Sequence, residues 1–130
     1  MSAPARPLDG RRILVVEDEY LIASEMKRWL QRAGAEVAGP VASVERALDL
    51  IEDSTIDAAV LDLNLGDRGT ALPIADRLGA LGVPHLFATG DVRASQEGAY
   101  ADRPRLEKPY LEAELVSAVV KLTASAEANR

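Results

Sequence analysis

Five polar residues in this sequence stand at the ends of apolar runs, and their types suit phosphoryl-transfer chemistry. Glu17 and Asp18 follow one such run, Asp62 follows another, Thr89 ends a third and Lys108 follows a short fourth. Three carboxylates held close together repel one another and need a compensating cation, and Mg²⁺ prefers hard oxygen ligands of this kind. Asp62 would be the nucleophile, while Lys108 supplies positive charge and Thr89 a hydroxyl donor. The residue types therefore predict phosphoryl transfer to Asp62 if folding brings these side chains together.

Five short segments have the length and composition of β-strands. The runs ILVV and AAVL are continuously apolar, as expected for strands that are covered on both faces, whereas residues 36–41 alternate only weakly. The predicted strands are residues 13–16, 36–41, 58–61, 83–89 and 105–107.

Amphipathic spacing predicts helices between these strands. The first runs from residue 19 to residue 33 and is followed by Gly34, which tolerates the backbone of a helix C-terminus. Ser43 and Thr70 are the predicted N-caps of the next two helices. Residues 91–104 have a weak pattern, for which we predict a short helix. The last helix has an apolar face of Leu111, Leu115, Ala118, Val119 and Leu122.

The alternation of strands and helices predicts the fold class. Five strands alternating with five helices favour a mostly parallel sheet with right-handed crossovers and helices on both faces. We expect an α/β flavodoxin-like, doubly wound (βα)5 sandwich with strand order 2-1-3-4-5. Ligands of such sheets bind outside the carboxyl ends of the strands, where this order would place Asp18 beside Asp62.

Length and composition predict one domain with short flexible ends. The 130 residues are 48% hydrophobic, which supplies one buried core. We expect the folded domain to span residues 11–123, with flexible segments at 1–10 and 124–130.

Charge and cysteine content limit the classes of partner. Acidic residues outnumber basic ones by 21 to 15, and the net charge of −6 disfavours direct binding to nucleic acid or to anionic membranes. The absence of cysteine excludes disulfides and thiolate metal sites. No stretch approaches the roughly 18 apolar residues that a membrane span needs. We therefore expect a cytoplasmic location.

Four short motifs in the chain resemble those of the receiver domain of bacterial two-component response regulators. They are ILVVEDE at residues 13–19, VLDLNLGD at 60–67, FATG at 87–90 and EKPY at 107–110. Each fragment is weak on its own, but four in the right order, each closing a predicted strand, form a specific signal. The resemblance covers residues 12–122.

The resemblance implies a role for each matching residue. Asp62 would be the phosphoacceptor, Asp18 would bind Mg²⁺ directly and Glu17 would bind it through water. The backbone carbonyl of Asn64 would complete the metal shell. Thr89 and Lys108 would contact the phosphoryl group, and the bond from Lys108 to Pro109 would be cis, a state that costs little before proline.

One position departs from the family pattern. The family usually has an aromatic residue three positions before the lysine, and this chain has Arg105 there. The FATG segment resembles a subset of alphaproteobacterial-type receivers that replace this aromatic switch. Arg105 is therefore the candidate output-coupling position, and we expect signalling through order and disorder within residues 91–104.

The resemblance also implies partners. The phosphodonor would be a histidine kinase or a histidine phosphotransfer protein, and the output would act on another protein. Formation of a homodimer is a further option. The chain would be a stand-alone signalling module rather than an enzyme, limited to phosphorylating and dephosphorylating itself.

Two alternatives are a phosphatase with an aspartate nucleophile and a receiver cut from a longer regulator with an output domain. The phosphatases generally carry DxDx[TV] after the first strand, whereas this chain has Glu17-Asp18-Glu19.

Several other residues have structural interpretations that outweigh functional ones. His85, the only histidine, lies in a predicted strand without a second histidine or a cysteine nearby, which favours packing over metal binding. Met26 and Trp29 have the helical spacing of core residues. Arg103 and Arg105 favour a solvated surface over a partner-binding patch.

Overall fold

The computed structural model describes residues 6–66, 69–90 and 104–128. Along the chain the elements are β1 Arg12–Val16, α1 Tyr20–Arg32, β2 Glu36–Val41, α2 Val44–Asp53, β3 Ala58–Asp62, α3 Leu72–Ala80, β4 His85–Thr89, β5 Arg105–Glu107 and α4 Glu112–Ala128. The helix predicted at 91–104 falls almost wholly outside the described residues.

The five strands form one parallel sheet in the order β2-β1-β3-β4-β5, which confirms the predicted doubly wound topology. Every residue of β3 and β4 is buried, as the continuous apolar runs required. The carboxyl ends of neighbouring strands are level, with Val16 beside Leu61 and Asp62 beside Ala88. One edge of the sheet therefore collects the residues that follow these strands.

Side-chain alternation along each strand divides the core into two layers. Ile13 and Val15 of β1 pack in a cluster with α1 and α4, whereas Leu14 and Val16 pack in a cluster with α2 and α3. Met26 is buried and Trp29 is half-buried in the first cluster, in line with the core interpretation. Both faces of the sheet are thus covered, and its polar groups are directed to the strand ends.

Local signals set most element boundaries to within one or two residues. Ser43 caps α2 by accepting a hydrogen bond from the backbone N–H of Arg46, as predicted. The N-cap residue of α3 is Ala71 rather than the predicted Thr70, although the Thr70 hydroxyl oxygen accepts a hydrogen bond from the backbone N–H of Leu72 at 3.4 Å, at the start of this helix. Strand β4 begins at His85 rather than Val83, since the intervening proline has no backbone N–H for the ladder.

His85 occupies a packing position. The residue is buried, its Nδ1 lies 3.1 Å from the carbonyl oxygen of Val83, and its ring meets Phe87 edge to face. It lies at the start of β4, whereas the predicted site lies at the strand's other end.

Among the described residues, no helix is long and apolar enough to cross a membrane.

The folded part of the chain extends further at both ends than predicted. Leu8 is completely buried in the layer beneath α1 and α4, and its N–H donates to the carbonyl oxygen of Ala33 at 2.8 Å. Treating all of residues 1–10 as flexible was therefore wrong, because an apolar side chain in this segment completes the core. At the other end α4 continues to Ala128, beyond the predicted boundary at residue 123.

Replacing Leu8 with alanine is expected to lower the free energy of unfolding by about 2–4 kcal/mol, because the change leaves a cavity in a closed core. Urea denaturation measures the loss. Leu21→Ala is the matched control, since Leu21 is 79% exposed and its truncation should change stability by less than about 0.5 kcal/mol. Equal effects of the two substitutions would contradict burial of the N-terminal segment.

Candidate functional site

The predicted site residues converge on the carboxyl edge of the sheet. Glu17 and Asp18 follow β1, Asp62 ends β3, Thr89 ends β4 and Lys108 follows β5. The reversal of strand order lies between β1 and β3, where doubly wound sheets bind their ligands. The structure thus brings together residues that are up to 91 positions apart in the chain.

Glu17, Asp18 and Asp62 form an acidic cluster. Each offers a carboxylate oxygen, and these three oxygens all lie within 4.8 Å of one another. Glu17 and Asp62 are buried, and Asp18 is half-buried. Hard oxygen donors at this separation fit a divalent cation such as Mg²⁺, because a cation relieves the repulsion among buried carboxylates.

A tight loop after β3 borders the cluster. The backbone N–H of Asn64 lies 3.4 Å from Asp62 Oδ1, and the side-chain oxygen of Asn64 accepts a hydrogen bond from the Gly66 N–H at 2.9 Å. Gly66 has φ of 65°, and a Cβ there would lie 3.4 Å from Asp18 Oδ2. The Asn64 side chain therefore stabilises the loop. The backbone carbonyl of Asn64 is the group that was predicted to contact the metal.

Lys108 places its ammonium group among the carboxylates. Its Nζ donates to Glu17 Oε2 at 2.9 Å and lies 3.6 Å from Asp62 Oδ1. The Lys108 backbone N–H donates to the carbonyl oxygen of Thr89 at 2.8 Å, and the bond to Pro109 is cis. Thr89 is itself buried at the end of β4. The hydroxyl-bearing and cationic residues named from the sequence therefore lie next to each other.

Burial and crowding change the acidity of these groups. Removal from water, and then the negative charge of Glu17, raise the pKa of Asp62 to about 7, although Lys108 opposes the rise. Burial lowers the pKa of Lys108, but the hydrogen bond to Glu17 and the nearby carboxylates raise it more, so the net change is upward. The ammonium group therefore stays protonated near neutral pH, whereas Asp62 needs a further cation to be fully ionised.

The end of β2 supports the site in a way that the sequence analysis missed. Glu17 N–H donates to the carbonyl oxygen of Val41 at 3.0 Å, just after a cis bond between Gly39 and Pro40. Gly39 has φ of 98°, and a Cβ there would lie 2.9 Å from the carbonyl oxygen of Val15. In the sequence, the pair of Gly39 and Pro40 was the feature that could have predicted this close approach of the β2 backbone to β1.

Arg105 lies on β5, opposite Phe87 of β4. Arg105 and Glu107 are exposed, whereas Leu106 between them packs on the core. The position at which the family usually has an aromatic residue therefore carries an exposed, charged side chain on the last strand of the sheet.

Tyr110 is a second feature that the sequence analysis missed. Its ring meets Trp29 edge to face, with centroids 6.3 Å apart. Together they line a cavity of about 220 Å³ whose other walls are Ile22, Glu25, Met26, Lys108 and Pro109. The Tyr110 hydroxyl is buried and has no hydrogen-bond partner among the described residues. Burial, followed by the charge of Glu17, raises the pKa of this hydroxyl well above its usual range.

Tyr110→Phe is expected to raise the free energy of unfolding by about 1 kcal/mol. The substitution removes a buried hydroxyl that loses its hydrogen bonds to water on folding and gains none among the described residues. Urea denaturation measures the change. Tyr20→Phe is the control, since Tyr20 is 81% exposed and its hydroxyl is solvated. A loss of stability in Tyr110→Phe would contradict the unpartnered state of the hydroxyl.

The raised pKa of Asp62 predicts the pH dependence of metal-free stability. Because the folded-state pKa of about 7 exceeds the ordinary 3.8, the folded protein holds this proton more tightly than the unfolded chain. The stabilisation is complete below about pH 4 and is lost as the pH rises through about 7, by roughly 2–4 kcal/mol in total. Urea denaturation of the wild type and Asp62→Asn in EDTA, from about pH 5 to about pH 8, isolates this contribution.

The difference in stability between Asp62→Asn and the wild type should grow with pH across that range. Asp49→Asn, at an exposed position of α2, is the matched control and should run parallel to the wild type. Parallel curves for wild type and Asp62→Asn would contradict the raised pKa.

Known proteins share this fold. The family model described as the response regulator receiver domain matches residues 13–120. The solution structure of SdrG from Sphingomonas melonis Fr1 is 37% identical, with a TM-score of 0.73, and covers 93% of this chain and 98% of its own. The PhyR response regulator from Brucella abortus has the same fold, with a TM-score of 0.82 at 22% identity over 96% of this chain and 53% of its own.

The amino-acid sequence is also similar to that of a bacterial regulatory protein. The transcriptional regulatory protein PdtaR of Mycobacterium tuberculosis is 30% identical over 128 residues, which are 92% of this chain. The chain spans 61% of the length of that relative. With the family model matching most of its length, this chain belongs to the response regulator receiver domain family.

Proposed function

We propose that this chain accepts a phosphoryl group on Asp62, from a histidine kinase or a histidine phosphotransfer protein, and thereby changes its interactions with another protein. The observation that carries the proposal is the cluster of Glu17, Asp18 and Asp62, of which Glu17 and Asp62 are buried, with Lys108 Nζ close to both of these. Family membership and the acidic, cation-requiring edge both favour this chemistry over other uses of the fold.

Mg²⁺ is the proposed cofactor. Asp18 and Asp62 would bind it directly, the backbone carbonyl of Asn64 would add a ligand, and Glu17 would act through water. When bound, the metal supplies positive charge that offsets the charge on the transferred phosphoryl oxygens. The three carboxylate oxygens within 4.8 Å of one another support this assignment.

Residues of the protein itself would supply the nucleophile and stabilise the transferred group. A carboxylate oxygen of Asp62 attacks phosphorus, a P–O bond forms, and the bond from phosphorus to the donor's leaving atom breaks with its electron pair going to that atom. Thr89 would donate its hydroxyl to the incoming group, and Lys108 would pair with its negative charge. Burial of Asp62 and Thr89 limits competing water at this edge.

The output would proceed through protein contacts in the cytoplasm. The net charge of −6 disfavours direct contact with nucleic acid. New charge on Asp62 would shift an equilibrium between two arrangements of the domain, with Arg105 at the coupling position. An exposed arginine on β5 supports a route that does not depend on an inward-moving aromatic ring.

The test is the intact mass of the protein after incubation with Mg²⁺ and acetyl phosphate. We expect a single phosphoryl adduct on the wild type and on Asp49→Asn, which changes an exposed carboxylate of α2. No adduct should form on Asp62→Asn or on the wild type in EDTA, because the nucleophile or its cation is then missing.

Two outcomes would refute the proposal. An adduct that persists on Asp62→Asn would remove the assigned phosphoacceptor. Steady turnover of a generic phosphate ester, abolished in the same variant, would instead show a phosphatase with an aspartate nucleophile.

A further inference from the structure

The strand that precedes Lys108 holds this lysine only weakly. Strand β5 has three residues, two of which are exposed, and it lies at the edge of the sheet beside β4. The Lys108 N–H donates to the carbonyl oxygen of Thr89 at 2.8 Å and extends this short ladder by one contact. Segments with few buried contacts have low local stability. The position of Lys108 therefore depends strongly on what holds the residues that follow it.

Helix α1 faces the segment that carries Lys108. Four residues of α1 and residues 108–110 form the walls of the cavity of about 220 Å³. Side chains that face each other across open space lose their dispersion contacts, so these walls do not pack closely along their whole length. Trp29 of α1 and Tyr110 bridge them edge to face, with ring centroids 6.3 Å apart and ring planes at 67°. This ring contact therefore joins α1 to the lysine-bearing segment.

Tyr110 is held through its ring rather than through its hydroxyl. The hydroxyl oxygen is buried and has no hydrogen-bond partner among the described residues. The ring packs against the apolar layer beneath α1 and α4, where Trp29 is its aromatic neighbour. Edge-to-face pairs prefer a defined geometry, so Trp29 restricts where this ring can lie. Because Tyr110 comes two residues after Lys108, a shift of the ring also moves the backbone from which the lysine extends.

A second link between α1 and this region lies at the surface. Arg32 Nε donates to Glu112 Oε1 at 3.0 Å, at the first residue of α4. Both side chains are exposed, and ion pairs between exposed side chains contribute little to stability. The contact between Trp29 and Tyr110 is therefore the stronger of the two links, and it lies closer to Lys108 in the chain.

The reaction places narrow limits on the position of the lysine. Lys108 Nζ lies 2.9 Å from Glu17 Oε2 and 3.6 Å from Asp62 Oδ1. Its charge stabilises a transferred phosphoryl group only when it is held at the site of transfer. A misplacement of about 1 Å, caused by a residue far from the reacting atoms, can slow a reaction about a hundredfold. A residue that fixes the lysine-bearing segment can therefore control the rate without touching the substrate.

We propose that Trp29 is a positioning residue for phosphoryl transfer, which acts through Tyr110 to hold the Lys108 ammonium group beside Asp62. The inference rests on the proposed function for the reaction that is accelerated. The acidic cluster is built from residues that follow β1 and β3, so binding of a cation there does not depend on Trp29.

A double-mutant cycle in the rate of phosphorylation tests the inference. The wild type, Trp29→Leu, Lys108→Met and the double variant are incubated with acetyl phosphate in saturating Mg²⁺, and adduct formation is followed by intact mass. Trp29→Leu is expected to lower the rate on the order of tenfold when Lys108 is present. In the Lys108→Met background the same substitution should change the rate by less than about twofold, because the group that Trp29 positions is absent.

Three further variants separate positioning from a loss of stability. Trp29→Phe keeps an aromatic ring against Tyr110 and should restore the rate to within about threefold of the wild type. Leu30→Val shortens a completely buried side chain of the same helix and should leave the rate unchanged. Tyr110→Leu removes the ring contact from its other partner and should reproduce the effect of Trp29→Leu, which keeps the test available if that variant does not fold.

Amide hydrogen exchange without a phosphodonor gives a measurement that is independent of the reaction. Trp29→Leu should speed exchange of the Lys108 N–H on the order of tenfold, because its hydrogen bond to Thr89 opens more often. The N–H of Ala59, which donates to the carbonyl oxygen of Pro84 in the middle of the sheet, is the reference and should exchange at the wild-type rate.

Two results would overturn the inference. One is a loss of rate in Trp29→Leu that is equally large in the Lys108→Met background, and the other is unchanged exchange of the Lys108 N–H. If Lys108→Met forms the adduct at the wild-type rate, the phosphoacceptor role of Asp62 stands and the inference is wrong. If the wild type forms no adduct, the proposed function fails, and the exchange data alone decide whether Trp29 holds the lysine-bearing segment.

Discussion

The repulsion among three carboxylates at one edge of the sheet is the constraint on which the rest of the site depends. Glu17 and Asp62 are almost completely removed from water, and Asp18 lies close enough to share a cation with them. Such a group of like charges is stable only when cations or protons accompany it. Lys108 meets part of this need, and burial with the charge of Glu17 raises the pKa of Asp62 to about 7, so a proton accompanies this carboxylate more readily as the pH falls below neutrality.

The sheet holds these charges together because its two faces are buried in separate apolar layers. Alternate residues of β1 anchor opposite layers, so the strand cannot rotate or slip without exposing one of them. Lys108 comes from the short strand β5, and further contacts hold the segment after it. Trp29 packs against Tyr110, and Arg32 pairs with Glu112, so α1 supports the segment that carries the lysine. Apolar packing therefore sets the positions at which the electrostatic chemistry takes place.

The topology could be predicted from the sequence because its signals are local. Continuous apolar runs marked β1 and β3 as strands covered on both faces, and the cap at Ser43 marked the start of α2. The errors were also local. Thr70 lies one position before the N-cap residue of α3, and Leu8 was assigned to a flexible end, because one leucine between Pro7 and Asp9 gives no periodic signal that it will fill a core.

The sequence by itself determined which residue types stand at the strand ends, and these predicted an acidic cluster, a cation to accompany it and a candidate nucleophile. Tertiary structure alone decided the pairing among them. Lys108 hydrogen-bonds to Glu17 and forms a longer ion pair with Asp62, and this difference depends on how far two side chains reach across β3 and β4. The buried hydroxyl of Tyr110 likewise depends on the position of Trp29, 81 residues earlier in the chain. Residue types and local spacing follow from the order of the chain, whereas distances between side chains exist only once the sheet and its helices have packed.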